Sequence, residues 1–326
     1  MKSCVVIAGV ALATSASFLP AQASSTCPAV GPVPLVTQDA CQKAVDLFQF
    51  MAPQLGGAIT GGNATLGQGG SLGGPGHFTV GVRVNAVRGS LPRVDDASVR
   101  PVTTGARSSA FPTSDTFVPV PVADAAIGVF KGFPLGVTNV GGVDVLGSAS
   151  FIPDFDGEGV SVSTDNPLRL GFGARISALQ ESIITPGISI TYLRRDLPSV
   201  SLSGNAGNAT LRVTSFDEST DAWRIVASKS LVLFGVAGGF GQDKYKSSAV
   251  ANATISGVTS GDISISQSMT RSNMFADLSF NMPVLKFIVE VGRVFGGDAP
   301  ATVNTFEGTD ITDSRLYASV GLRFSW

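Results

Sequence analysis

The chain has one histidine, His77. A serine–histidine–aspartate hydrolase needs an imidazole beside its nucleophile, and a common metal centre needs several His, Cys or carboxylate groups to converge. His77 stands at the start of a segment that alternates apolar and polar residues. It reads as a polar residue at a strand boundary, and no enzymatic activity is expected. PDFDGEG places Asp154, Asp156 and Glu158 around a glycine, oxygen ligands of the kind calcium prefers. The full twelve-residue loop is absent, so a solvated loop is the plainer reading and no metal is expected. GFG at 171–173 and GGFG at 238–241 look like dinucleotide loops, but neither lies between a strand and a helix. No cofactor follows from them.

The richer set is ionic. Arg83, Asp144, Arg169, Arg175, Asp277, Lys286, Glu290 and Arg323 all lie on alternating segments. Paired in a confined interior they would satisfy one another, and around an open path they would set ion selectivity.

The elements that must position them follow from parity, because successive strand side chains point to opposite faces. Phe78, Val80, Val82 and Val84 share one face, and Thr79, Gly81, Arg83 and Asn85 the other. Leu168, Leu170, Phe172 and Ala174 oppose Arg169, Gly171, Gly173 and Arg175. Met274, Ala276, Leu278 and Phe280 oppose Asn273, Phe275, Asp277 and Ser279; Leu285, Phe287, Val289 and Val291 oppose Lys286, Ile288, Glu290 and Gly292. The charges therefore lie opposite the apolar faces. The inward glycines 171, 173, 235, 239, 241 and 321 would leave room for an occupant.

Composition decides which medium meets the apolar face. The chain is 44% hydrophobic and 14% charged, with 39 glycines, against about 25% charged in an ordinary soluble domain. No stretch is apolar and long enough for a transmembrane helix. MKSCVVIAGVALATSASFLPAQA has the basic start, short apolar run and small-residue site of a secretory signal, cleaved after Ala23. Residues 1–23 are thus read as a signal peptide. The formal charge of −2 gives no basic excess, so nucleic acid is not an expected partner. Cys4 would leave with the signal, making a Cys27–Cys41 disulfide plausible in an oxidising compartment.

Residues 24–75 are read as a helix and a Gly-rich tether, a possible plug placed in the lumen or at the periplasmic mouth. Thr37 is the expected N-cap. Cys41, Ala44, Val45, Phe48, Met51 and Leu55 keep helical spacing, and Gly56-Gly57 is the expected stop. Residues 76–326 are read as an up-and-down antiparallel transmembrane β-barrel of ten strands, with long connections at 88–121, 153–167, 196–221, 244–269 and 297–312. Both termini then fall on the periplasmic, short-turn side. Leu211, Val213 and Ser215 leave a twelve-strand count open.

The chain ends LYASVGLRFSW. Leu316, Ala318, Val320, Leu322, Phe324 and Trp326 share one face. This tail resembles the C-terminal signature of Gram-negative outer-membrane β-barrel proteins. The resemblance implies an outer-membrane location, lipid contact and recognition of the last strand by the barrel-assembly machinery. Tyr192, Trp223, Phe133, Phe295, Phe324 and Trp326 are the candidates for interfacial aromatics, and Arg194 and Arg195 are expected near lipid headgroups. The expected function is a channel or transporter for small solutes, gated or plugged by the N-terminal segment. The alternative is a non-conducting structural or binding barrel whose outer loops meet a partner.

Overall fold

The computed structural model describes residues 26–28, 34–97, 99, 106–152, 154–157, 160–164 and 166–326. The expected signal peptide, 1–23, lies outside the described residues. One helix, α1 (Pro34–Thr60), precedes ten long strands: β1 (Phe78–Pro92), β2 (Thr113–Phe130), β3 (Gly142–Phe151), β4 (Leu168–Leu179), β5 (Gly187–Asp196), β6 (Ala209–Ser230), β7 (Phe234–Ile255), β8 (Ile263–Asn281), β9 (Leu285–Phe295) and β10 (Arg315–Ser325). Each pairs antiparallel with its sequence neighbour, and β10 pairs with β1. The hydrogen-bonded ring thus runs through ten strands. It is sealed where Phe78 and Trp326 exchange backbone hydrogen bonds at 3.1 and 2.9 Å. The C-terminal residue is a rung of the ladder.

Connections at 131–141, 180–186, 231–233 and 282–284 mark a short-turn end, where β1 starts and β10 finishes. At the opposite, long-loop end, several strands run beyond their expected limits. β2 begins at Thr113, β6 at Ala209 and β8 at Ile263, and β7 continues to Ile255. Leu211 and Val213 belong to β6 and add no strand to the ring. A bulge between Thr214 and Asp217, with Ser215 at φ 50°, shifts the parity so that Phe216 and Glu218 also point inward. That break hides the strand's continuity from an alternation count. Beyond β5, Val200–Ala206 pairs with the outer part of β6 and Val160–Thr164 pairs with it in turn.

The extensions invert the polarity of the wall. On β7, the outward Phe234, Val236 and Phe240 give way to Gln242, Lys244 and Lys246, all exposed. Inward, small residues give way to Ala249, Ala251, Ala253 and Ile255, all buried. The short-turn half is apolar outside and polar inside. The long-loop half is built like a soluble protein, with its apolar face turned to a core.

That core surrounds α1. Cys41, Ala44, Val45, Phe48 and Phe50 pack with Phe216, Ala251, Ala253, Phe111 and Phe306. Phe48 meets Phe216 edge-on at 5.3 Å, and Phe50 stacks on Phe306 at 3.8 Å. Each such burial contributes about 1.5–3 kcal/mol. Enclosed on all sides, the helix must also pair its polar groups: Lys43 meets Asp39 at 2.9 Å one turn back, and Asp46 accepts from Asn304. A disulfide joins Cys27 to Cys41, with Cα atoms 6.0 Å apart, inside the same core.

Both ends of α1 differ from the sequence expectation. α1 begins at Pro34, a residue tolerated in a helix's first turn, which leaves Thr37 inside the helix. It runs through Gly56-Gly57 to Thr60, and Gly56 provides clearance there: a Cβ on it would lie 2.1 Å from Glu218 Oε1. Of the two expected positions, lumen and periplasmic mouth, the helix takes the first, enclosed in the long-loop half, and Cys27, bonded to Cys41, lies in the same core, so only the strands start at the short-turn side. From Thr60 the chain runs down the interior, reaching Gly74 beside Gly128 and Lys131 before β1 begins.

Pro53 lies inside α1 and has no N–H to donate to the carbonyl of Gln49. Gln267 Nε2 on β8 donates to that carbonyl at 3.3 Å instead. The wall thereby completes the helix.

Candidate functional site: the occupied interior

The interior of the short-turn half holds buried arginines, among them Arg83, Arg175, Arg195, Arg224 and Arg323, and buried acids, among them Asp124, Asp144, Asp243, Asp277 and Glu290. Burying isolated charges is costly, so each must find partners. Some pair across the wall: Arg83 with Asp124 at 2.9 Å, Arg175 with Asp144 at 2.8 Å, Arg195 with Asp124 at 3.4 Å and Arg224 with Asp243 at 2.7 Å. The others are satisfied largely by the backbone of residues 60–72.

The division of labour follows the polarity of that backbone. A helix end leaves carbonyls unpaired and carries partial negative charge. Arg195 Nη1 donates to the Thr60 carbonyl at 2.9 Å. Arg224 donates to the carbonyls of Gly61 and Gly62 at 3.1 and 3.0 Å, and Asn273 Nδ2 also reaches Gly61 at 3.1 Å. Arg83 donates to the Asn63 carbonyl at 2.7 Å, and Arg323 to that of Leu66.

On the facing strands, carboxylates accept from amides. Glu290 takes the N–H groups of Gly62 and Asn63 at 3.0 and 2.7 Å. Asp277 takes the Asn63 side-chain amide and the Gly67 N–H at 3.0 and 2.8 Å. Asp144 accepts from Leu72 N–H at 3.2 Å, and Ser228 Oγ from Gly69 N–H at 2.9 Å. Several glycines fit because no side chain would. A Cβ on Gly62 would lie 2.4 Å from the Tyr317 hydroxyl, and one on Gly69 would lie 2.6 Å from the backbone of Ser228.

Of the eight charges singled out in the sequence, Arg83, Asp144, Arg175, Asp277, Glu290 and Arg323 join this network. Arg169 stands apart, half-buried on the outer part of β4, and Lys286 is half-buried near the short-turn end of β9. Arg195, expected near headgroups, points inward because it alternates with Arg194, which stays outside near Asp196 at 3.6 Å. Arg195, Arg224, Asp124 and Asp243 were legible in principle from parity. Asp124 is masked because its inward neighbours Val122 and Ala126 are apolar while Ala123 and Ala125 face out.

Tyr192 and Trp223 sit side by side in register on the outer surface, both exposed, and Trp223 meets Phe240 edge-on at 6.2 Å. The Tyr192 hydroxyl donates to Asp221 at 2.7 Å. Phe324 and Trp326 are exposed at the short-turn end, as is Phe133 in its turn; Phe295 is half-buried at the far end of β9. His77 is exposed beside the start of β1. In the 153–159 loop, Asp154 accepts from Thr164 N–H at 2.8 Å, while the side chain of Asp156 and the whole of Glu158 lie outside the described residues. Among the described residues, no group of three or more His, Cys, Asp or Glu is placed to hold a metal.

No protein-family model matches the chain, and no curated protein matches it. Solved structures overlap it in part. The translocator domain of the autotransporter NalP from Neisseria meningitidis is 9% identical, with 90% of this chain and 99% of that one covered and a TM-score of 0.43. The outer-membrane protease OmpT from Escherichia coli is 10% identical, with 77% and 97% covered and a TM-score of 0.42. The Pseudomonas putida toluene transporter TodX is 11% identical, with 76% and 88% covered and a TM-score of 0.32.

Proposed function

We propose that the chain is a Gram-negative outer-membrane β-barrel that acts as a channel for small solutes, closed at rest by residues 61–72. The outward apolar band of the short-turn half suits hydrocarbon, and the inward charges keep clear of it, since a charge on the lipid face costs about 2–4 kcal/mol at midplane. Tyr192 and Trp223 would mark one border of that band, and Phe324 and Trp326 the other. The last strand would present its aromatic end to the assembly machinery.

The observation that carries the channel reading is how the interior is filled. Across the proposed membrane band the occupant is a glycine-rich segment held by polar bonds, such as those of Glu290 to Gly62 and Asn63. Water can replace such bonds, each worth about 1.5–3 kcal/mol net where a charged group takes part. The segment is therefore suited to rearrange while α1, seated in its apolar core, stays in place.

That core supports a second reading: a non-conducting barrel whose protein-like long-loop half, polar outside and rigid within, binds an external partner. Planar-bilayer recordings separate the two. A closed wild-type protein with a large steady current after deletion of residues 24–75, and brief openings in Asp277→Asn/Glu290→Gln, supports the channel. Silence in all three, with folding confirmed by heat-modifiable gel migration, supports the binding barrel.

A further inference from the structure

β1, β2 and β8 each outrun one neighbour in the long-loop half and leave an edge there. β10 pairs with β1 only as far as Val87, β3 with β2 only from Val122, and β9 with β8 only from Ser272. An edge of free N–H and C=O groups is a template for another strand, and native proteins block it. Beyond Val87, Gln54 of α1 does so: Ser90 N–H donates to its Oε1 at 2.8 Å, and its Nε2 donates to the Ser90 carbonyl at 3.2 Å. Along β2, the exposed Pro119 and Pro121 have no N–H to offer.

The third edge, at residues 263–268, has no such device. Its sequence, ISISQS, contains no proline, glycine or charge. Asn281 N–H, near the other end of β8, donates to the Leu233 carbonyl on the β7 side at 2.7 Å. Backbone groups of successive residues alternate between a strand's two edges, and β8 keeps one register with β7 from Ile263 to Phe280. Ser264, Ser266 and Ser268 therefore present their N–H and C=O groups away from β7. Farther in, the chain after β9 closes the edge: Arg271 Nε donates to the Gly296 carbonyl at 2.9 Å, and Met269 is buried. At Ile263 and Ile265 the cover is incomplete. Both point inward at the margin of the core around α1 and are only half-buried, although Ala251 and Ala249, opposite them on β7, are fully buried.

We propose that this edge binds an extended segment of another protein as an added antiparallel strand. Ser264, Ser266 and Ser268 would exchange backbone hydrogen bonds with every second residue of that segment. Those residues face outward with the serines and suit small polar side chains. The residues between them face inward and suit β-branched apolar side chains, which would cover Ile263 and Ile265. A second copy of the chain is the poorer occupant. Barrel strands tilt by about 35–45°, so two co-inserted copies facing each other across a twofold axis would cross their β8 edges at about twice that angle, which a ladder cannot follow. The inference goes beyond the channel reading, since the edge lies outside the apolar band whether or not the barrel conducts.

The test is hydrogen exchange of the purified mature chain in detergent micelles, read by mass spectrometry over residues 263–268. The probe is a synthetic peptide of alternating threonine and valine, eight residues long, acetylated and amidated. Excess probe should slow exchange of this segment at least about tenfold. The same peptide methylated on its threonine amides cannot pair antiparallel with the serines and should have no effect. Ser266→Pro keeps the bonds to β7 and should lose the protection while its gel migration stays compact. Absence of protection by the probe, equal protection by the methylated peptide, or full protection in a compact Ser266→Pro protein would overturn the proposal. Protection that arises without probe as the protein concentration is raised would also overturn it, by making a second copy the occupant. Protection in a barrel that carries no current would leave the edge standing and remove the channel, and conductance without protection would do the reverse.

Discussion

Arg224 and Asp243 face each other across β6 and β7 at 2.7 Å, and the same guanidinium holds the carbonyls of Gly61 and Gly62. One side chain thus fastens a wall pair to the segment that fills the interior. In Arg224→Ala, Asp243 is left as a buried acid, with only side-chain contacts at 3.4 Å from Tyr245 and Asn273. Removing one partner of a buried pair costs about 3–5 kcal/mol. The temperature at which gel migration shifts from the compact to the unfolded form should fall by many degrees. Arg224→Lys should recover only part of it, because an ammonium cannot span both carbonyls and the carboxylate.

The proline in α1 allows a cleaner test by double substitution. Gln267→Ala removes the donor to the Gln49 carbonyl and should cost about 1 kcal/mol. Pro53→Ala restores the helix's own N–H, so in that background Gln267→Ala should cost measurably less. Urea unfolding of the four proteins in detergent gives the coupling. Equal costs in both backgrounds would mean that the Gln267 contact does not serve the interrupted helix.

Parity alone was enough to place the strands of the ring, their apolar faces and most of the interior charges, because the short-turn half of each strand obeys a single alternation. It failed where the physical rule changes along a strand. On β7 the outward face turns from Phe240 to Gln242, Lys244 and Lys246, so an expectation of lipid contact stops there although the strand continues. The bulge at Ser215 reverses parity within β6 and detaches Leu211 and Val213 from the segment they extend. The end of α1 departs from its sequence signal for a related reason. Gly56-Gly57 is a stop signal in isolation, whereas here Glu218 and Tyr245 occupy the space a side chain at Gly56 would need. The pairing of charges with residues 60–72 involves backbone groups, which carry no sequence signature.

The close approach at Gly56 makes a sharp prediction. A Cβ there would sit 2.1 Å from Glu218 Oε1 and 2.6 Å from Tyr245 Cδ1. Gly56→Ala gains helix propensity of about 1 kcal/mol, yet overpacking at a buried contact costs about 1–3 kcal/mol. The net change should be destabilising. Gly57→Ala has only the Tyr245 hydroxyl at 4.0 Å in its way and should be neutral or stabilising. Melting of both variants by heat-modifiable migration checks the order, and a Gly56→Ala protein at least as stable as wild type would contradict the packing described.

Reduction should act on the same half of the molecule. The Cys27–Cys41 bridge closes a loop of 14 residues, for which restricting the unfolded chain contributes about 3 kcal/mol. Because the bridge lies in the core around α1, its loss should loosen the helix before the ring. Cys27→Ala/Cys41→Ala should therefore show early proteolysis near residues 34–60 while the ring still migrates as folded. Simultaneous loss of both would show that α1 and the ring unfold as one unit.

Glu218 sets the pH dependence of that half. Its burial, on the part of β6 beyond the apolar band, holds the folded-state carboxyl well above the unfolded value of 4.5. Between those two values the folded protein keeps a proton that the unfolded chain has released. Stability therefore falls as pH rises through 4.5 towards the folded-state value. Other acids titrate too: Asp115, at the outer end of β2, is lowered by hydrogen bonds from Ser90 and Arg88 and favours folding in the opposite sense, above its unfolded value of 3.8. The comparison must then be differential. Glu218→Gln cannot ionise, so its stability relative to wild type should be unchanged near pH 4 and should grow as the pH is raised to neutrality. A gap that stays constant across that range would mean that Glu218 ionises as freely in the folded barrel as in the unfolded chain.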